Sequence, residues 1–186
     1  MSTNLRVIAG SYRGRRLHAP RGKATRPTSG RVREALFSIL GDLSGARVLD
    51  LYAGSGALGI EAISRGAKSV LLVEHDRAAL ACIRENLAAI GASNQARVLP
   101  VRVPAALSAL GAEQFELVLC DPPWDALEAA VGVLETLATS QRLARAARVV
   151  LEHSARDSNP EIPGLVAVDR RRWGDTAVSF FEVGAG

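Results

Sequence analysis

The amino-acid sequence predicts an α/β fold built on a doubly wound, mostly parallel sheet of about seven strands that ends in a C-terminal antiparallel hairpin. Three observations support this fold class. From Arg47 onward, short apolar runs without polar alternation are separated by segments in which apolar residues recur at helical spacing. A glycine-rich stretch joins the first apolar run to the helix after it, and the end of the chain alternates apolar and polar residues around a Trp-Gly-Asp turn. Uniformly apolar strands separated by helices indicate a parallel sheet that is covered on both faces.

A small basic extension precedes this sheet. Residues 5–19 alternate apolar and polar side chains around a Ser-Tyr-Arg-Gly turn, which predicts a short hairpin. Apolar residues then recur at helical spacing up to Gly41, which predicts a helix that ends there. Either Thr28 or Ser29 can be its N-cap, because both are residue types that favour this position. We therefore predict two units, a basic hairpin and helix over residues 1–41 and the α/β domain over residues 42–186.

The elements of the α/β domain follow one another in a regular order. The predicted strands cover residues 46–54, 69–76, 96–103, 115–121 and 147–154, and the hairpin covers residues 165–184. The predicted helices cover residues 56–67, 77–92 and 124–144. In such a sheet the carboxyl ends of the parallel strands share one edge, where ligands bind in a crevice.

The positive charge is concentrated at the N-terminus. The chain of 186 residues has a net charge of +4, but residues 1–34 hold nine basic residues, eight of them arginine, against one acid. A basic segment on a mildly acidic body is typical of proteins that contact a polyanion, and arginine favours bidentate phosphate contacts. Our candidates for these contacts are Arg13, Arg15, Arg16, Arg26 and Arg33. The alternative is a solvated tail with no partner, although the predicted hairpin and helix count against it.

Other classes of protein are disfavoured. No apolar stretch reaches the eighteen or so residues of a membrane helix, and the N-terminus lacks the apolar core of a signal peptide, so a cytoplasmic protein is expected. Cys82 and Cys120 lie within apolar patterns without a CxxC spacing. They are predicted to be buried free thiols, and no metal site or disulfide is expected. We expect a monomer.

The glycine-rich stretch carries the first functional signal. Gly54-Ser55-Gly56 begins a GxGxxG pattern at a strand-to-helix junction, and Glu74 ends the next strand, where a carboxylate can bind a ribose diol. NAD and S-adenosylmethionine both fit these residues. Asp50, four residues before the first glycine, favours S-adenosylmethionine, because a carboxylate repels a pyrophosphate and attracts a free ammonium group. The alternative for Asp50 is a carboxylate that only accepts hydrogen bonds from the loop amides.

The second signal is the sequence Asp-Pro-Pro-Trp at residues 121–124, which ends the fourth apolar run. Together with D-x-x-A-G-S-G and the acid after the second strand, it resembles the Rossmann-like, S-adenosylmethionine-dependent methyltransferases that act on exocyclic amines of nucleobases. RVIAGSYRGRRL and RPTSGRVREALFSIL are similar to the bacterial 16S ribosomal RNA guanine-N2 methyltransferase family (RsmD-like), and the resemblance covers almost the whole chain. It implies transfer of a methyl group to the N2 amine of a specific guanine, with 16S ribosomal RNA or a small-subunit assembly particle as partner.

The resemblance gives the Asp-Pro-Pro-Trp corner a role. We expect Asp121 and the carbonyl of Pro122 to accept the two N–H bonds of the target amine, because prolines fix the backbone and offer no donors. Trp124 is expected to stack on the base. The alternative is that Asp121 caps the next helix and Trp124 lies in the core. By the same resemblance, Arg26, Thr28 and Arg33 are alternatively expected to face the cofactor or the target base.

Two positions depart from the family pattern, and other functions stay open. Gly30 stands where relatives often have an acid, and the segment near Val103 has no acid or amide for the adenine of the cofactor. An amine methyltransferase for adenine or cytosine in DNA or RNA uses similar Asp-Pro-Pro-aromatic corners. A non-catalytic RNA-binding ribosome-assembly factor with the same fold is a third possibility, and an NAD-dependent dehydrogenase is disfavoured by Asp50.

Overall fold

The computed structural model describes residues 5–20 and 30–184. The helices are α1 (Gly30–Leu40), α2 (Ala57–Ser64), α3 (Arg77–Ile90), α4 (Val103–Ala106) and α5 (Leu127–Thr139). The strands are β1 (Arg47–Leu51), β2 (Ser69–Val73), β3 (Ala96–Leu99), β4 (Phe115–Cys120), β5 (Leu143–Ser154), β6 (Leu165–Trp173) and β7 (Thr176–Val183). Short 3-10 turns cover Leu107–Ala109 and Trp124–Ala126. Within these ranges, no helix combines the length and the hydropathy that crossing a bilayer requires.

The seven strands form one sheet in the order β3-β2-β1-β4-β5-β7-β6. Strands β1 to β5 pair in parallel, and β7 is antiparallel to both β5 and β6. The predicted fold class, with its C-terminal antiparallel hairpin, is confirmed. Because the chain builds outward from β1 to β3 and then returns to place β4 on the other side of β1, the order reverses between β1 and β4.

Each face of the sheet is covered by its own apolar layer. Along β4, Leu117 and Leu119 pack into the layer formed with α1, α2 and α3, while Val118 and Cys120 pack into the layer formed with α4 and α5. Side chains of a strand point alternately to opposite faces, so a strand buried on both sides is apolar throughout. This is the physical basis of the continuous apolar runs in the sequence.

The N-terminal segment is part of the first layer. Leu5, Val7 and Leu17 are buried in the same core as α2 and the sheet. The backbone amides of Ile8 and Ala9 donate to the two carboxylate oxygens of the fully buried Glu61, at 2.8 and 3.0 Å. The division of the chain at residue 41 stays a prediction, and the described part of the extension shares its core with the α/β domain.

Several predicted elements differ from the structure, and among them β5 begins at Leu143 rather than at residue 147. The hairpin at residues 5–19 consists of one bridge, Arg6 to Arg16, with flanking backbone hydrogen bonds rather than two full strands. The third strand ends at Leu99 because the chain turns into α4. The helix predicted to reach residue 144 ends at Thr139, since Gln141 adopts a left-handed backbone conformation with φ of 57°. The helix N-caps predicted at Thr28 or Ser29 lie outside the described residues.

Gly10 and Gly14 provide a matched pair for testing how tightly the N-terminal turn is held. Both have φ of +81°, but a Cβ at Gly10 would lie 1.7 Å from the carbonyl oxygen of Ser64, whereas a Cβ at Gly14 would meet nothing within 4 Å. We expect Gly14→Ala to lower the free energy of unfolding by about 1–2 kcal/mol, the cost of the left-handed conformation. Gly10→Ala should lower it by more than about 3 kcal/mol, because the turn must move off α2. Urea denaturation measures both, and equal losses would contradict the close contact.

Candidate active site

Three adjacent strands end together at one edge of the sheet. Leu51, the last residue of β1, pairs with Val73 of β2 on one side and with Cys120 of β4 on the other. Glu74 therefore follows β2, and Asp121 follows β4, on either side of the loop that leaves β1. This edge lies at the reversal of strand order, where doubly wound sheets bind their ligands.

The loop after β1 depends on its glycines at specific points. Gly54 and Gly56 have φ of +56° and +76°, in the left-handed region. A Cβ at Gly56 would lie 3.1 Å from Leu72 Cδ2, and a Cβ at Gly59 would lie 2.9 Å from Asp50 Oδ2. The glycines thus let the start of α2 pack directly onto the sheet, which leaves the loop backbone close to the edge.

Tyr52 is a feature of this loop that sequence reasoning missed. Its φ is +60°, an uncommon conformation for an aromatic residue and one that costs free energy. The half-buried ring packs on the layer of α4 and α5, and burial, with a smaller effect of Cys120, raises the pKa of Tyr52 to about 12. The hydroxyl therefore keeps its proton at neutral pH. No residue pattern distinguishes this position, because strain of the backbone is a property of the folded loop.

Glu74 is a nearly buried carboxylate that organises the loop. Its Oε2 accepts a hydrogen bond from the Gly54 amide at 2.9 Å. Its Oε1 accepts from the amides of His75 and Asp76 at 2.7 and 2.9 Å. A carboxylate has about four acceptor positions, so one lone pair of Oε2 is left for a ligand. Glu74 can accept one hydroxyl without breaking any of its bonds to the protein.

Asp50 lies beneath the loop. Its side chain is 1% exposed, and Oδ2 accepts from the Gly59 amide at 2.9 Å. Oδ1 is buried without a hydrogen-bond partner among the described residues. Burial is the largest cause that raises the pKa of Asp50 to about 8, and the negative charges of Asp121 and Glu74 add to it. Asp50 can therefore organise the loop and also bind a cation, because Oδ2 accepts the hydrogen bond from the loop and Oδ1 is left for the cation.

The Asp-Pro-Pro-Trp corner turns outward from the sheet. The amide of Asp121 donates to the carbonyl of Leu51 at 3.4 Å, which continues the pairing of β4 with β1. Pro122 is buried, and Trp124 is 50% exposed. The 3-10 turn is capped at Pro123 and α5 at Ala126, neither with a side-chain hydrogen bond. The alternative in which Asp121 caps the helix and Trp124 lies in the core does not describe this corner.

The two cysteines are free and buried, as predicted. Burial, together with the charges of Asp121 and Asp50, holds the pKa of Cys120 well above its usual value. Cys82 donates to the carbonyl oxygen of His18 at 3.0 Å. In the described parts of the chain, the structure contains no group of three or more His, Cys, Asp or Glu side chains arranged to hold a metal ion.

The arginines predicted to bind RNA separate into three groups. Arg13, Arg15 and Arg16 are exposed on the N-terminal turn. Arg26 lies outside the described residues. Arg33 corrects the prediction: its side chain is buried at 2% exposure, and Nη2 donates to the carbonyl oxygen of Arg6 at 2.5 Å. A guanidinium in this position stabilises the packing of the N-terminal segment and is not presented to a phosphate.

Asn86 connects the basic turn to the glycine loop, and sequence reasoning did not identify it. Its Nδ2 donates to the carbonyl oxygens of Ser55 at 2.9 Å and His18 at 3.0 Å, while its Oδ1 accepts from the His18 amide at 2.7 Å. The side chain is fully buried. Ser55 is thereby held through its backbone, and the N-terminal segment is fixed relative to the crevice.

Comparisons with known proteins agree with this architecture. The family described as Conserved hypothetical protein 95 matches residues 5–182. "Putative rRNA methyltransferase YlbH" of Bacillus subtilis is 36% identical over 183 residues, covering 96% of this chain and 98% of the relative. "Ribosomal RNA small subunit methyltransferase D" of Escherichia coli K12 is 37% identical over 174 residues, covering 92% of this chain and 85% of the relative. The solved structure "Putative methyltransferase yhhF from Escherichia coli" superposes with a TM-score of 0.83 at 35% identity, covering 97% of this chain and 98% of that chain.

The pH dependence of stability tests the environment of Asp50. Its pKa of about 8 exceeds the usual value of 3.8, so between these values the folded chain holds a proton that the unfolded chain has lost. This part of the stability is present below pH 4 and is lost as pH rises toward 8, by up to about 1.4 kcal/mol per pH unit. Asp50→Asn should remove the dependence, so the free energy of unfolding of the variant minus that of the wild type should grow from pH 5 to pH 8.

Urea denaturation at several pH values measures this difference. Asp125→Asn, at an exposed position of the same corner, is the control and should give a curve parallel to that of the wild type. Parallel curves for Asp50→Asn and the wild type would show that Asp50 is ionised in the folded protein throughout this range.

Proposed function

The chain belongs to the family described as Conserved hypothetical protein 95, and from this membership and the geometry of the crevice we propose that it is an S-adenosylmethionine-dependent methyltransferase acting on the N2 amine of a guanine in 16S ribosomal RNA. The observation that carries the proposal is the convergence of Asp50, Glu74 and Asp121 at one edge of the sheet, where burial, followed by the charges of Asp121 and Glu74, raises the pKa of Asp50. The relatives named as ribosomal RNA methyltransferases support the substrate class. Within that substrate class, we propose the N2 amine of guanine as the group that is methylated.

The residues of the crevice fit this cofactor. Glu74 Oε2 has a lone pair for a ribose hydroxyl, and the backbone of Gly54, Ser55 and Gly56 lets a ligand approach closely. The unpartnered Oδ1 of Asp50 lies under the loop, where a carboxylate attracts an ammonium group. Once bound, S-adenosylmethionine supplies an electrophilic methyl group on a positively charged sulfur.

The corner after β4 then orients the amine. The lone pair of an aromatic amine is delocalised into the ring, so catalysis requires that both N–H bonds be held with the lone pair directed at the methyl group. Asp121 accepts one N–H, and the carbonyl oxygen of Pro122 accepts the other. Trp124, with half of its surface exposed, stacks on the base. Asp121 is also in position to accept the proton that the nitrogen releases.

The basic turn is the part of the protein that we expect to contact the RNA backbone. Arg13, Arg15 and Arg16 are exposed on a segment that Asn86 and Glu61 attach to the same helices that carry the glycine loop. A phosphate bound there has a defined position relative to Asp121. We propose that residues 1–41 act as an RNA-binding extension of the methyltransferase domain, with free 16S ribosomal RNA or a small-subunit assembly particle as the partner.

Replacement of Asp121 tests the catalytic role. Asp121→Ala should lower methyl transfer to protein-free 16S ribosomal RNA by at least about 100-fold, since one orienting partner of the amine is lost, while the affinity for S-adenosylmethionine stays within a few-fold. Transfer of labelled methyl groups and calorimetry measure the two quantities. Asp125→Ala is the control.

Normal turnover by Asp121→Ala would remove Asp121 from the reaction. Mass analysis of the nucleosides separates the alternatives, because an adenine or cytosine methyltransferase leaves its label on those bases. A non-catalytic assembly factor would leave no label at all.

The basic turn is tested by the salt dependence of RNA binding. If Arg13, Arg15 and Arg16 each contact a phosphate, replacing all three with alanine should reduce the log–log slope of affinity against salt by about 2, at about 0.7 per contact for single strands. Arg145→Ala, at an exposed position near the start of β5, is the control. A slope unchanged in the triple variant would place the RNA elsewhere on the molecule.

A further inference from the structure

A narrow crevice lies directly beside Asp121. It is enclosed by side chains from α1, α2 and three strands, and its lower part is apolar, formed by Val32, Leu36, Leu58, Leu119, Val150 and Val178. Two carboxylates line it, those of Asp121 and Glu152. Glu152 has no part in the binding or catalytic roles described above.

The pairing of β4 with β5 explains why the two acids are neighbours. Cys120 of β4 is in register with Leu151 of β5, so Asp121 and Glu152 are the next residues of two adjacent parallel strands. Leu119 and Val150, one pair earlier, both pack into the layer of α1, α2 and α3. Because side chains two residues apart share a face and Leu117, Leu119 and Asp121 alternate with Val118 and Cys120, Asp121 and Glu152 are directed to this same side.

A pair of carboxylates on one face favours a particular edge of a nucleobase. In guanine, the N2 amine is flanked by the N1–H donor, so two adjacent donors can meet two adjacent acceptors. In adenine and cytosine, the amine is flanked on its Watson–Crick edge by an acceptor nitrogen, which a carboxylate repels. The apolar walls of the crevice strengthen both the attraction and the repulsion, because charges interact more strongly away from water.

We propose that Glu152 is the residue that selects guanine: its carboxylate accepts the N1–H of the target base while Asp121 accepts a hydrogen of the N2 amine. The assignment rests on the proposed function and adds to it the group that distinguishes a guanine amine from other base amines. Leu119 and Val150 line the crevice below the two acids, one pair earlier in β4 and β5 on the same face, so the base edge meets the carboxylates at the mouth of the crevice. Glu152 is a specificity-determining residue, and Asp121 remains the residue that orients the reacting amine.

The test uses a base that keeps the exocyclic amine but has a hydrogen-bond acceptor at N1 in place of the N1–H donor of guanine. In 2-aminopurine, the exocyclic amine is retained, but N1 is an acceptor. The wild-type protein first identifies the methylated guanine in 16S ribosomal RNA, and two RNA fragments are then made, one with guanine and one with 2-aminopurine at that single position. The wild type should methylate the guanine fragment with a much higher kcat/KM. In Glu152→Gln, the amide can accept from the N1–H of guanine or donate to the N1 of 2-aminopurine. The ratio of kcat/KM for guanine over 2-aminopurine should therefore fall by at least about 100-fold relative to the wild type.

Two controls separate specificity from general damage. Glu182→Gln changes an exposed carboxylate on β7, four residues beyond Val178, which pairs with Glu152, and it should leave the ratio unchanged. The affinity of Glu152→Gln for S-adenosylmethionine, measured by calorimetry, should stay within twofold of the wild type. A ratio in Glu152→Gln within threefold of the wild-type ratio would overturn the role of Glu152 while leaving the proposed function intact. If the wild type methylates no guanine, both the proposed function and this role are wrong.

Discussion

The hydrogen bond from the Gly59 amide to Asp50 Oδ2, 2.9 Å long, joins the central strand β1 to the helix that follows the glycine loop. It requires that residue 59 have no side chain, because a Cβ there would lie within 2.9 Å of the same oxygen. The bond also draws a carboxylate out of water and into the field of Glu74 and Asp121. A local packing requirement thus buries a carboxyl group that is mostly protonated at neutral pH when no cation is near. A nearby cation stabilises its ionised form. The fold and the binding chemistry of the edge depend on the same contact.

Buried polar contacts of a similar kind attach the N-terminal segment. Glu61 accepts two backbone amides from it, Ser64 exchanges hydrogen bonds with it, and Asn86 bonds both to it and to Ser55. Each of these side chains is at most 2% exposed, so replacing one would leave backbone donors or acceptors without partners in the interior. The backbone that carries the exposed arginines of the turn is therefore held in place by buried hydrogen bonds. A phosphate held by them is placed with the precision of the core rather than that of a tail.

The periodicity of the sequence was sufficient for the order of the main strands and helices along the chain, since apolar runs and helical spacing follow directly from two-sided burial. It did not predict the short helix α4. Local sequence patterns predicted the wrong element or the wrong exposure where contacts between distant residues determine the structure. Leu143 lies in a stretch that continues the helical pattern, yet it pairs with Phe115 and begins β5. Arg33 has the residue type of an RNA contact, but its neighbours bury it. The strain at Tyr52 and the link made by Asn86 depend on distant parts of the chain, and a single sequence contains no signal for them.

In the proposed function, the charges of the molecule divide the recognition of RNA into two steps. Carboxylates gather at the crevice, with Glu74 after β2, Asp121 after β4 and Glu152 near the end of β5, and such a surface repels phosphates. We propose that the attraction for the RNA backbone comes from the basic turn, which acts on any sequence. A nucleotide enters the crevice only if its base leads and its phosphates stay outside, so the base has to leave its stack and present a donor-bearing edge. If Glu152 has the role proposed for it, the carboxylates that exclude the phosphates also favour an amine flanked by a second donor, and discrimination between bases follows from the same charge arrangement.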